Sequence, residues 1–298
     1  MCFSSFAKSS ILAFIVGSLF TNCNGRKENE LKDPLTGKLV ERFQYTETSN
    51  GSQLKDGFYK RWYSNGQLNI DGTYERNRRV GEWKIYNDDG SLQELAHLVN
   101  DSLEGKVERF FKSGKKQSEA VYSKNNRNGP VSVWLENGQI SEQFSTKDDQ
   151  KDGPSILFYP NGKKRIEAEF TNGEYNGPYT EYFENGTLFR QGSYASGLKH
   201  GSWITNNTTG ELFAQEEYDN GKNVTLVGRW LINNSVEIEY FKDGFAKSKD
   251  NKGKVFYSIE AGVLTYSFHR YTIKKLTKNE YVIVASGVKS QTYRGVRL

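Results

Sequence analysis

Two glycines recur at fixed spacing through the middle of this chain, and no other feature constrains its fold as tightly. One series is Gly57, Gly81, Gly105, Gly129, Gly153, Gly177 and Gly201. The other follows nine residues later each time, at Gly66, Gly90, Gly114, Gly138, Gly162, Gly186 and Gly210. Seven copies of 24 residues without a slip in register mark a repeat protein, in which each unit buries its apolar face against its neighbours.

The residues around the second glycine give the unit its shape. Asn65-Gly66, Asp89-Gly90, Asn137-Gly138, Asn161-Gly162 and Asn185-Gly186 separate short β-prone runs. Such pairs predict a hairpin closed by a type I′ turn, whose two central residues both need positive φ. The run before the turn is aromatic, as in FYKRWYS and PYTEYFE, and the run after it alternates, as in LNIDGTY. Six residues past the turn glycine the side chain is usually small (Gly72, Ala96, Ala120, Ala168, Gly192), which predicts close approach of the neighbouring repeat's backbone. A lone hairpin is marginal in water, so the expectation is an all-β array of stacked hairpins over residues 53–223.

Gly-x-aromatic-x-x-(Trp/Tyr/Phe) followed by Asn-Gly-x-Leu resembles the bacterial variant of the MORN repeat. Repeat three departs from it with Ser113-Gly114. Repeat seven has Asn206 and Asn207 where aromatics are expected, which suits a terminal, capping copy. The resemblance implies binding rather than catalysis. Bacterial chains of this kind are often grouped as antitoxins or immunity proteins, and their eukaryotic relatives suggest lipid-headgroup binding.

At the N-terminus the apolar run Ile11 to Phe20, preceded by Lys8, has signal-peptide proportions and is too short to span a membrane. It leads into Leu19-Phe20-Thr21-Asn22-Cys23, which resembles the lipobox of bacterial lipoproteins, with Asn22 where Gly, Ala or Ser is usual. The implied reading is a signal peptide over 1–22, lipid on Cys23, and an envelope protein, most simply of the outer membrane. A secreted or periplasmic protein cut nearby is the alternative. Cys2 is the only other cysteine, so no disulfide is expected. Residues 24–36 are polar and charged and read as a tether within a 23–52 segment, and Leu39, Phe43 and Tyr45 suggest a half-hairpin cap.

After Gly221 the period stops, and residues 224–298 read as several short alternating strands. Turns are expected at Asp243-Gly244, Asn251-Lys252-Gly253, Ala261-Gly262 and Lys278-Asn279. Gly228-x-Trp230, Tyr240-Phe-Lys-Asp-Gly244 and a closing Tyr293-Arg294 resemble the small lipocalin-like domains of bacterial lipoproteins. That resemblance implies a small antiparallel β-barrel with Arg294 near Trp230 as a plug. A ligand cavity does not follow from it, since a barrel this small can be filled by its own side chains, and the sequence leaves open whether the domain holds a ligand.

Chemistry is sparse. His97, His200 and His269 share no metal-ligand spacing, and no nucleophile elbow or phosphate-cradling loop is present. No enzyme activity, cofactor or metal is expected. A net charge of +5, with both signs mixed along every repeat, gives little support to nucleic-acid binding. What remains is surface. Trp62, Tyr86, Phe110, Trp134, Phe158 and Tyr182 stand five residues after the first glycine, and Tyr59, Trp83, Tyr179 and Trp203 stand two after it, with opposite parity. One row must be core; an exposed row interleaved with Lys and Arg would suit a protein, glycan or lipid-headgroup partner. A protein partner is the leading expectation.

Overall fold

The computed structural model describes residues 25–298 apart from 227, 234–235, 243, 249–254, 261–262, 267–268, 278 and 286–290. The expected signal peptide, Cys23, and the turn residues Asp243, Asn251 to Gly253, Ala261, Gly262 and Lys278 lie outside the described residues. Every regular element described is a β-strand, as the repeat pattern requires. The chain divides into two compact units, one reaching Ile140 and including Thr146–Asp149, the other made of Ser141–Ser145 and Gln150–Leu298.

The first unit opens with β1 (Lys27–Lys32) and β2 (Leu39–Glu47), an antiparallel pair. Residues 27–32 are thus a strand and not a tether. Charge pairs line it: Lys27 meets Glu47 at 2.7 Å and Arg42 meets Glu28 at 2.7 Å across the pair. A charged outermost strand also blunts the sheet edge against other chains. Next come the first hairpins: β3 (Gln53–Trp62) with β4 (Leu68–Glu75), β5 (Arg78–Tyr86) with β6 (Leu92–Val99), and β7 (Ser102–Phe110) with β8 (Lys116–Ser123). Strand β9 (Asn126–Trp134) pairs with β8, and β10 (Ile140–Lys147) is divided between the units.

In the second unit the period continues as β11 (Gln150–Phe158) with β12 (Lys164–Thr171), β13 (Glu174–Tyr182) with β14 (Leu188–Ala195), and β15 (Leu198–Asn206) with β16 (Leu212–Asp219). A two-residue strand β17 (Lys222–Asn223) pairs with β16. Beyond it lie β18 (Gly228–Ile232), β19 (Val236–Tyr240), β20 (Phe245–Ser248) and β21 (Val255–Glu260). They are followed by β22 (Val263–Tyr266), β23 (His269–Leu276), β24 (Glu280–Ala285) and β25 (Thr292–Arg297). Each pairs antiparallel with the next, and β25 pairs back onto β18, which closes an eight-stranded barrel and removes its edges. Arg297, and not Arg294, lies over Trp230, 5.7 Å from the ring. The two are register partners, whereas Arg294 reaches Glu280 at 3.3 Å.

The seventh repeat is not a free cap. Ala214 on β16 belongs to the barrel's core cluster and pairs with Leu276. Glu217 donates its backbone N–H to Thr225 Oγ1 at 2.8 Å, and Lys242 meets Asp219 at 3.0 Å.

The turns are of two kinds, and the Asn-Gly turns are not type I′. Gly66 donates its N–H to the Tyr63 carbonyl and Tyr63 donates to the Gln67 carbonyl, both at 2.9 Å. Gly66 has φ +91°, while Asn65 is not among the residues with positive φ. This is a type I turn followed by a glycine bulge, the common longer hairpin connection. The two-residue turns lie between repeats, where both central residues have positive φ: Arg76-Asn77, Asn100-Asp101, Lys124-Asn125, Asp148-Asp149, Asn172-Gly173, Ser196-Gly197 and Asn220-Gly221.

One face of each repeat is core. Tyr59, Trp83, Val107, Val131, Ser155, Tyr179 and Trp203, all two residues after the first glycine, are buried. From Trp83 onward each is matched in size to the residue eleven positions earlier, in the preceding repeat. A Cβ on Gly72 would lie 2.4 Å from the Trp83 indole, and one on Gly192 only 2.2 Å from that of Trp203. Ala96, Ala120 and Ala168 are register partners of the smaller Val107, Val131 and Tyr179. Phe144 and Ser155 occupy the same two positions with the sizes reversed. So the small column admits a neighbouring ring and not a neighbouring backbone. Close packing across each seam follows.

Candidate binding surface

The two aromatic rows have separate fates. Tyr59 and Trp83 are each 7% exposed, Tyr179 is 3% and Trp203 is 1%, so these four cannot offer themselves to a partner. Their rings pack on one another and on a second-strand tyrosine. Tyr59 stacks on Trp83 at 5.8 Å, and Tyr74 meets Trp83 edge-on at 5.2 Å. In the second unit Tyr179 and Tyr194 meet Trp203 at 5.6 and 5.0 Å. Burial pushes the Tyr59 and Tyr179 phenols up to about 12.

Cations lie over this buried row, a feature the sequence reading missed. Lys55 Nζ sits 4.4 Å from the Tyr59 ring, Arg79 5.8 Å from Trp83, and Lys199 4.4 Å from Trp203. All three stand two residues before the first glycine, a 24-residue signal visible in the sequence once the buried face is known. Carboxylates hold some of them in place, as Glu41 holds Lys55 at 2.6 Å. Burial lowers the Lys199 ammonium, with Glu216 opposing that shift. A ring face attracts a cation most strongly where water is scarce.

The other row points away from this core and keeps part of each ring in water. Trp62, Tyr86, Phe110, Trp134, Phe158 and Tyr182 are all half-buried. Trp62, Tyr86, Phe110, Phe158 and Tyr182 sit at the register shift where the strand enters its turn. In the first unit Lys116 Nζ lies 5.5 Å from the Trp134 ring and also binds Glu108 at 2.6 Å, while Lys106 bridges Glu108 and Glu119, each at 3.0 Å. The Lys116 hydrogen bond holds the Glu108 carboxyl below its ordinary value. In the second unit Tyr182 donates its hydroxyl to Glu167 at 2.9 Å, and Lys164 meets the same carboxylate at 2.6 Å. Each unit thus carries ring edges of its own set in paired charges. These can bury apolar area against a partner and supply charge-assisted hydrogen bonds at their rim.

The turn glycines Gly66, Gly90, Gly114, Gly138, Gly162, Gly186 and Gly210 all have positive φ, each at the bulge position of its turn. Beside them the asparagines tie turn to turn. Asn65, Asn161 and Asn185 accept the N–H two residues on through Oδ1. Through Nδ2 they donate to Asp88, Glu184 and Thr208 carbonyls of the following repeat at 2.6, 3.1 and 3.1 Å. Among the described residues no cluster of three or more His, Cys, Asp or Glu is placed to hold a metal, and no helix is long and apolar enough to cross a membrane.

The fold defines the class: a β-hairpin repeat protein. Five segments, residues 55–76, 79–100, 103–124, 151–172 and 175–195, match the MORN repeat variant family. The two repeats outside these segments carry Phe144 and Glu216 at the position where the matched copies have Gly or Ala. No curated protein matches the chain. Two crystal structures, of TcdB2-TccC3-TEV and TcdB2-TccC3, are similar at 10% identity with TM-scores of 0.20 and 0.15. They cover 87% and 91% of this chain, which spans only 14% and 17% of theirs, and at those scores the likeness carries no argument.

Proposed function

We propose that the chain is a non-enzymatic bacterial envelope lipoprotein, anchored through Cys23, whose repeat array holds a protein partner. The observation that carries this reading is the segregation of the two aromatic rows. One row is spent on core, while the other, from Trp62 to Tyr182, stays half-exposed among paired charges. Aromatic rings with a polar rim are the usual anchors of protein interfaces. A toxin to be neutralised is one partner of that kind.

The test is capture from an envelope extract with the mature protein and with a variant carrying Trp62→Ala, Trp134→Ala and Tyr182→Ala. A partner retained by the first and lost by the second, at equal melting temperature, supports the reading. Equal capture by both would remove the row as the interface. For the anchor, mass spectrometry of the detergent phase should find lipid on Cys23, and an unmodified Cys23 inside a longer peptide would refute it.

A further inference from the structure

The barrel of the second unit is not filled by its own side chains. One end is closed. Leu226, Trp230 and Leu276 are buried there, and Trp230 Nε1 donates to the Leu226 carbonyl at 2.7 Å. Toward the other end a cavity of about 360 Å³ lies among Ile238, Leu264 and Ile283 and the rings of Tyr240, Tyr266, Tyr271 and Tyr281. Asn233, Val236 and Tyr293 also line it, and the exposure of Asn233 and Val236 puts them on its solvent side. The volume falls at the small end of the roughly 300–1,000 Å³ range of ligand pockets.

The lining says what could enter. None of the described lining residues is charged, so a charged guest would lose its hydration without meeting a counter-ion. The polar groups are phenols. Tyr240 and Tyr281 hydroxyls stand 3.4 Å apart and share one hydrogen bond. The Tyr266 and Tyr271 hydroxyls have no hydrogen-bond partner among the described residues, although their rings pack on Tyr240 and Tyr293. Burial pushes the Tyr281 phenol up to about 12 and also raises Tyr240 well above its ordinary value, so these groups stay protonated and donate. A hydroxyl facing an apolar cavity gains most from an acceptor brought in by a guest.

We propose that this cavity is a binding site for a small, uncharged, mainly apolar molecule that presents a hydrogen-bond acceptor to the tyrosine cluster. The site is independent of the repeat surface and of any partner held there.

The full mature protein is titrated with two fluorescent probes of one skeleton, neutral N-phenyl-1-naphthylamine and anionic 1-anilinonaphthalene-8-sulfonate. The neutral probe should bind saturably at one site, and the anion should bind weaker by about tenfold or more, as desolvation of the sulfonate requires. Ile238→Trp should fill the cavity and Val236→Trp should obstruct its solvent side; either should abolish the saturable signal. Val236 is exposed, so that variant tests the solvent side without disturbing the core. Tyr266→Phe should weaken a few-fold the displacement of the neutral probe by 2-acetylnaphthalene, whose carbonyl is the acceptor, while Trp134→Ala should leave both the probe's binding and its displacement unchanged. No saturable binding of the neutral probe, equal binding of the two probes, or unchanged binding in folded Val236→Trp would each overturn the proposal.

Discussion

Asn65, Asn161 and Asn185 use both ends of one amide, the oxygen closing their own turn and the nitrogen reaching the next repeat. The Asn-Gly dipeptide is legible in the sequence, but the dipeptide alone does not separate a positive-φ pair from a bulge. Only the glycine is left-handed here. Gly138 has φ +92° and open space where a Cβ would stand, so Gly138→Val should cost roughly 1–3 kcal/mol through backbone strain alone. Glu136→Ala on the same hairpin should stay within about 0.5 kcal/mol, and the two melting curves decide between them. Asp101 and Asp149 act at the other kind of turn, accepting the backbone N–H and the Nε–H of Arg79 and Arg127. Those hydrogen bonds, the backbone one foremost, hold both carboxyls below their ordinary value. A carboxyl depressed in the fold stabilises it above about pH 4 and loses that contribution as pH falls through the folded value. The melting temperature should therefore drop on acidification below about pH 4, and less so in Asp101→Asn/Asp149→Asn, whose amides can still accept as Asn77 and Asn125 do.

At the scale of the hairpin, strand existence and period were plain in the sequence, because two glycine columns and an aromatic run repeat together. Which face is buried was not. Both rows are aromatic, and parity alone is symmetric between them. The small column broke the tie, since Gly72 and Gly192 admit indoles and a larger residue there would exclude them. Gly192→Ala should cost roughly 1–3 kcal/mol by overpacking against Trp203, although Ala suits the equivalent Ala168–Tyr179 seam. Adding Trp203→Tyr to Gly192→Ala should cost less than the two single losses summed, a coupling that a double-mutant cycle measures. Trp83→Ala should destabilise the first unit by about 3–5 kcal/mol, the range for large aromatics lost from a core. Trp134→Ala, from the half-exposed row, should cost clearly less in the same melt. The strand Lys27–Lys32 is not legible in the sequence for a different reason: it is lined by ion pairs with its partner strand and brings only Leu31 to the core cluster, so it carries no hydrophobic period.

For the molecule as a whole, the sequence period ends near Gly221 and suggests repeats that stand without the last domain. The structure places Ala214 in the barrel core, so cutting after residue 223 strips one side of the last hairpin. Hydrogen exchange on a 25–223 fragment should show protection lost in β15 and β16 and kept in β3 to β8, since repeat stability is passed only between neighbours. Equal protection across all repeats would show that the barrel adds nothing. The size match between successive repeats also bears on inheritance. Chains of this kind can change length by recombination between their own repeats, but the breakpoints are not equivalent. Loss of residues 84–107 keeps Gly72 against Trp83 and Ala120 against Val131, so the survivors meet partners of the right size. Loss of residues 73–96 is the same length, yet it sets Gly72 against Val107 and leaves a void where an indole had been. Viable length variants should therefore carry their junctions inside hairpins, with the seams between repeats passed on intact.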